Sequence, residues 1–184
     1  MPISTWLDQT AVDQLAARVQ RDVDNGFLPA AQFALALDGE VVEQRAFGDA
    51  TLDTRFALFS ATKPFVAATV WRLIAAGELD PAKAVTTWFP AFGANGKDAI
   101  TLEQVMLHTS GFPMAPMGPR HWGERASRQE RMASWRLNWE PGTRYEYHAT
   151  AAHWVLAELL EAVTGLDYRD AVEQLVTPPL GLPR

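Results

Sequence analysis

A chain of 184 residues, 48% hydrophobic and 21% charged, has the composition of about one globular domain and can bury a sizeable core without metals or crosslinks. The absence of cysteine excludes disulfide frameworks, thiolate metal sites and a cysteine nucleophile. Sixteen basic residues, scattered singly against 22 acidic ones for a net charge of −6, speak against a nucleic-acid partner; with no leader pattern and no apolar run near ~18 residues, a cytoplasmic protein away from membranes is expected.

Residues 6–24 set Trp6, Leu7, Ala11, Leu15, Val19 and Val23 at helical spacing and stop at Asn25-Gly26, which predicts an amphipathic opening helix. Phe33, Leu35 and Leu37 then alternate with small residues up to Asp38-Gly39, and Val41 to Phe47 reads as a second strand, so the two form a tight hairpin. From Ser60 to Gly77 the pattern is helical, with Val66, Val70, Leu73 and Ile74 on one face. Pro64 fits only the first turn of that helix, where backbone N–H groups have no helical partner, and this puts Ser60 at or just before its start.

Pro81, Pro90, Gly93 and Asn95-Gly96 mark a connector, and Phe112 to Trp122, with Pro113, Pro116, Gly118 and Pro119, reads as a loop. Thr101 with Gln104, and Ser127 with Glu130, have the spacing of reciprocal caps and predict two short helix starts. Val155, Leu156, Leu159, Leu160 and Val163 pattern a further helix that stops at Gly165, and Asp167 caps one more through Val176. About six helices and two strands result. An isolated hairpin is marginal in water, so its sheet is expected to be incomplete within this chain.

Ser60-Ala61-Thr62-Lys63 sets a hydroxyl and an amine three residues apart on one helical face. A serine hydroxyl is a weak nucleophile until a neighbouring base takes its proton, and an amine so placed can serve; the same pattern also fits a plain N-cap beside a solvated lysine. Phe56, Leu58, Phe59, Phe65 and Val66 surround it with apolar residues, unusual company for a surface lysine. Tyr147, just ahead of the Val155 helix, is either a proton shuttle near a lysine or a boundary tyrosine with its ring in the core. His108, His121, His148 and His153 lack the spacing of a zinc hydrolase and read as packed or surface residues. Trp71, Trp135 and Trp154 fall in helical patterns and read as core, whereas Trp122 and Trp139, in loops, could line a site for an apolar substrate.

Taken in order, Phe59-Ser60-Ala61-Thr62-Lys63, Leu107-His108-Thr109-Ser110-Gly111-Phe112, Pro141-Gly142-Thr143 with Tyr147, and Val163-Thr164-Gly165 resemble the serine hydrolases related to class C β-lactamases, D-amino-acid peptidases and family VIII carboxylesterases. The resemblance implies an α+β fold of the β-lactamase/penicillin-binding-protein kind, an antiparallel sheet flanked by helices with an inserted, mostly helical domain. Residues 1–58 would supply the N-terminal helix and first hairpin, and 59–184 the active-site helix and most of the helical domain, with the C-terminal strands outside this chain. It further implies Ser60 as nucleophile, Lys63 as its activator and Tyr147 as proton shuttle, with no metal or organic cofactor. The β-lactamase branch usually has Tyr-x-Asn at the second motif, its Asn amide binding the substrate amide; here the residues are Tyr147-His148-Ala149. Loss of that partner favours esters over amides. The expected function is acyl-enzyme hydrolysis of small esters, with a β-lactamase or D-peptidase activity, or a non-catalytic scaffold, as the alternatives. The expected partners are a small ester or amide substrate and a second polypeptide, the C-terminal half or a swapped segment, that completes the sheet.

Overall fold

The computed structural model describes residues 7–182, so Trp6 lies outside the described residues. The chain divides into two compact units, one ending at Ala57 and the other beginning at Leu58.

The first unit opens with α1 (Gln9–Asp24), three residues later than the apolar spacing alone predicts. Asp8 sets the start, because its carboxylate accepts from the Thr10 and Ala11 N–H groups at 2.9 and 3.3 Å and satisfies donors the helix leaves open. The hairpin follows as β1 (Ala30–Leu37) and β2 (Glu40–Gly48), antiparallel, with Ala30 opposite Gly48 and Leu37 opposite Glu40. Asp38 and Gly39 turn it with φ of 51° and 84°, the left-handed pair that matches the strands' own twist. Phe33 and Phe47 pack their rings 5.7 Å apart on one face. Among the described residues these two strands make up the whole sheet.

The second unit is helical. A 3₁₀ turn (Phe59–Thr62) runs into α2 (Lys63–Ala75), with Pro64 in the first helical turn as its missing N–H requires. The connector before residue 100 contributes more than linkage: its 3₁₀ turns bury Val85, Phe89 and Phe92 in the core beside Val70 and Leu73 of α2. Thr101 and Gln104 form the reciprocal cap of α3 (Leu102–Met106). Ser127 does not start a helix. α4 (Arg125–Ser134) begins two residues earlier, because Arg125 and Arg128 are drawn to Glu158 and Glu161 of α5 (Ala151–Thr164), and the Ser127 hydroxyl instead meets His121 Nδ1 at 2.7 Å. α5 is apolar on most of its circumference and buries Val155, Leu156, Leu159 and Leu160; Gly165, at φ 71°, ends it. α6 (Tyr168–Leu175) follows, capped by Asp167.

Candidate active site

Three segments meet around one oxygen. Ser60 stands in the 3₁₀ turn and Lys63 begins α2, so the helical rise sets their side chains on one face, and the Lys63 ammonium donates to Ser60 Oγ at 3.0 Å. From 87 positions further along, the Tyr147 hydroxyl donates to the same Oγ at 2.9 Å. Lys63 Nζ also lies 5.2 Å from the centre of the Tyr147 ring. Once ionised, the phenol oxygen can accept from Lys63 and then from Ser60, which favours the phenolate and holds Tyr147 below the usual tyrosine range against a weaker opposing effect of desolvation. The three residues singled out in the sequence therefore converge, and Tyr145, two positions away, stays exposed.

Tyr147 is carried by a loop stitched to the segment after α3. Asn138 N–H donates to the Gly111 carbonyl at 2.7 Å and Gly142 N–H to the Thr109 carbonyl at 2.8 Å. Gly111 has φ 86°, and a β-carbon there would come within 2.5 Å of the Trp139 carbonyl, so this crossing admits glycine alone. His148 is the central stitch: its Nδ1–H donates to the Glu146 carbonyl at 2.6 Å while Nε2 accepts from the Phe112 N–H at 3.1 Å, with the Ser110 hydroxyl 3.2 Å away. These partners select the neutral Nδ1–H tautomer, and burial holds its pKa below the ordinary histidine value. His108, His148 and His153 are packed residues that cluster around His108, which lies within 5.8 Å of His148 and 6.4 Å of His153 and 5.1 Å from the Tyr147 ring, centre to centre. Residue spacing gave no role to His108 or His148; the one signal was their position inside the two ordered motifs.

A cavity of about 270 Å³ opens beside Lys63, walled by Val66 of α2, Ala149 of the loop before α5, His153, Trp154 and Ala157 along α5, and Tyr168 of α6. The tryptophan assignments change here. Trp135 is buried in the core as read, Trp154 packs on that core and also lines the cavity, and Trp71, read as core, is exposed. Trp122 and Trp139 do not line it: Trp122 stacks behind Trp154 at 6.3 Å and Trp139 packs edge-on against His148 at 6.1 Å. Helical spacing identifies a helix but not which neighbours it meets, which is where the Trp71 reading failed, and a loop position does not tell which wall Trp122 or Trp139 faces. Both His153 ring nitrogens are buried without a well-formed hydrogen bond, and burial, reinforced by the Lys63 charge, pushes this histidine down to about 4.

The sequence profile of the Beta-lactamase family matches residues 15–184. Esterase EstB of Burkholderia gladioli is 33% identical over 96% of this chain and 53% of its own. Esterase/beta-lactamase LipL of Mycobacterium tuberculosis is 33% identical over 70% of this chain and 30% of its own. Among solved structures, a penicillin-binding protein homolog from Caulobacter crescentus superposes with a TM-score of 0.73 at 30% identity, covering 88% of this chain and 46% of that one. The chain spans about half the length of Esterase EstB and of the Caulobacter protein. No helix among the described residues is long and apolar enough to cross a membrane.

Proposed function

Because the chain belongs to the beta-lactamase family, we propose that it carries the nucleophile of a serine hydrolase that acts through an acyl-enzyme, with Ser60 as nucleophile, Lys63 as its activator, Tyr147 as proton shuttle, and carboxylic esters as substrates. The observation that supports this most directly is the pair of contacts at Ser60 Oγ, 3.0 Å from Lys63 Nζ and 2.9 Å from the Tyr147 oxygen. With Tyr147 as phenolate, the Ser60 proton passes to the phenol oxygen as Oγ adds to the ester carbonyl. The tetrahedral adduct collapses with cleavage of the ester C–O bond. The leaving alkoxide takes the proton from Tyr147, and the acyl group stays on Ser60. Water then gives a proton to the phenolate as its oxygen adds to the acyl carbon, and Oγ regains that proton as the acid departs. Lys63 is the fixed cation that keeps the phenolate available throughout. The Ser60 N–H, at the entry to α2, is one donor to the oxyanion.

The preference for esters rests on Ala149, which walls the cavity beside Lys63 and offers no side-chain group to hold a substrate amide. The test compares hydrolysis of a short acyl ester of a chromogenic alcohol with opening of a chromogenic β-lactam, in the wild type, Ser60→Ala and Ala149→Asn. Ester turnover should dominate, vanish in Ser60→Ala, and give ground to the lactam in Ala149→Asn. Activity that survives Ser60→Ala removes the nucleophile assignment; equal rates on both substrates, unchanged by Ala149→Asn, remove the ester assignment.

A further inference from the structure

The backbone on both sides of Tyr147 is bonded to one residue. The Glu146 N–H donates to the His108 carbonyl at 3.2 Å, and the His148 N–H donates to His108 Nδ1 at 3.1 Å. The His108 ring itself lies against the tyrosine, 5.1 Å between centres. His108 follows α3 with φ 58°, in the left-handed region that a β-carbon disfavours and that non-glycine residues keep where surrounding contacts enforce it. A residue held in this way, carbonyl to one flank of Tyr147 and ring to the other, fixes the peptide groups that carry the Glu146 and His148 N–H, one before and one after the tyrosine, and with them the direction of the side chain between.

We infer that His108 is the positioning residue for Tyr147: its carbonyl and its unprotonated Nδ1 hold the backbone N–H groups of the residues before and after the tyrosine, Glu146 and His148, and so keep the phenol oxygen on Ser60. This rests on the reading of Tyr147 as the proton shuttle. Nδ1 accepts the His148 N–H only while it carries no proton, which places the proton of neutral His108 on Nε2. Protonation would set an N–H against an N–H and release the flank. The groups around the ring oppose that event. Lys63 comes from α2 and His153 from α5, with its ring stacked 6.4 Å away, while the Tyr147 loop presents Tyr145, Tyr147 and His148. Glu146, the acid nearest in sequence, is paired with Arg144 at 2.9 Å. Burial first, then the His148 and Lys63 charges, lower the His108 pKa from its ordinary value, so the clamp is closed at neutral pH and opens as pH falls through that lowered value.

The test uses His108→Leu, which removes the acceptor, and His108→Asn, which keeps an acceptor near the Nδ1 position, tolerates the left-handed backbone and does not titrate. The chain has three tyrosines, so the phenolate absorbance of each variant, less that of the same protein with Tyr147→Phe, isolates the Tyr147 titration. In His108→Leu that titration should rise toward the ordinary ~10, and kcat for the ester should fall ~10- to 100-fold with KM within about twofold, the cost of misplacing a reacting group by an ångström or less. In His108→Asn both should return to the wild-type values, and the acid limb of kcat assigned to His108 should disappear. An unchanged Tyr147 titration in a folded His108→Leu protein, or an Asn variant as damaged as the Leu variant, overturns the inference. Should His108→Leu not fold, the Asn variant decides alone: an acid limb that stays where the wild type has it overturns the assignment. A wild-type protein without ester turnover contradicts the proposed function, while the Tyr147 titration still reads the positioning.

Discussion

The Arg128–Glu161 pair gives an asymmetric prediction. Arg128 is 2% exposed, and its guanidinium is held by both carboxylate oxygens of Glu161 at 2.7 Å and by the Trp122 carbonyl at 2.9 Å. Glu161 has further partners: Arg125 Nε at 3.2 Å and the Tyr168 N–H at 3.3 Å. Removing Glu161 therefore strands a buried cation that has no second carboxylate bonded to it among the described residues, whereas removing Arg128 leaves a carboxylate that still has a cation. Stranding a buried charge costs ~3–5 kcal/mol, so Glu161→Leu should lose about that much, or roughly 6–20 °C in Tm for a chain of this size. Arg128→Met should lose only ~1–2 kcal/mol, and the double variant should recover most of the Glu161→Leu loss, since a buried ion pair exchanged for apolar residues is often close to neutral. Urea unfolding followed by tryptophan fluorescence reads the right unit, because six of the seven tryptophans lie beyond Leu58. Equal losses in the two single variants, or a double variant no better than Glu161→Leu, would refute the reasoning.

Tyr147→Phe removes the hydroxyl that meets Ser60 Oγ at 2.9 Å and should lower ester kcat by ~10²–10⁴ with the fold intact by circular dichroism. Gly111→Ala drives a β-carbon to 2.5 Å from the Trp139 carbonyl at φ 86°, and should cost more than ~2 kcal/mol in urea unfolding while displacing the Tyr147 loop. His153, pushed down to about 4 in the folded chain against an ordinary ~6.5, takes up its proton first in the unfolded state; stability should be full above ~6.5 and decline by up to about 3 kcal/mol as pH falls to ~4. His153→Leu should flatten that decline, and an unchanged slope would show that the burial of this ring does not set it.

Local rules carried much of the fold. The Asp38-Gly39 turn, Pro64 in a first turn, the Thr101–Gln104 box and the Gly165 stop each depend on a few neighbouring backbone groups, so the sequence alone makes them legible. Ser127 failed for a tertiary reason: four charged residues on two helices moved the start of α4, and no local pattern at residue 127 reports on Glu158 and Glu161. The site divides in the same way. Ser60 and Lys63 are joined by helical rise, but Tyr147 reaches them across 87 positions, and the resemblance of the ordered motifs, not any periodicity, brought it in.

Backbone strain falls where this long-range assembly is tightest. Among the described residues, four that are not glycine have positive φ. Asp38 and Asn95 are of the kinds that visit the left-handed region readily. His108, at 58°, is of a type enriched there as well, whereas Phe59, at 47°, is not and costs of order 1 kcal/mol that neighbouring contacts must offset. Phe59 immediately precedes Ser60, the proposed nucleophile, and His108 is the proposed clamp on the phenol that meets it. The His108 ring is packed against its neighbours, but Phe59 gains little packing in compensation, being 87% exposed. Left-handed backbone at two points, one on each side of a single serine oxygen, is what a site needs if an amine and a phenol from distant segments are to be presented to that oxygen before substrate arrives. The relaxed alternatives would leave the same residues in the same unit without the convergence.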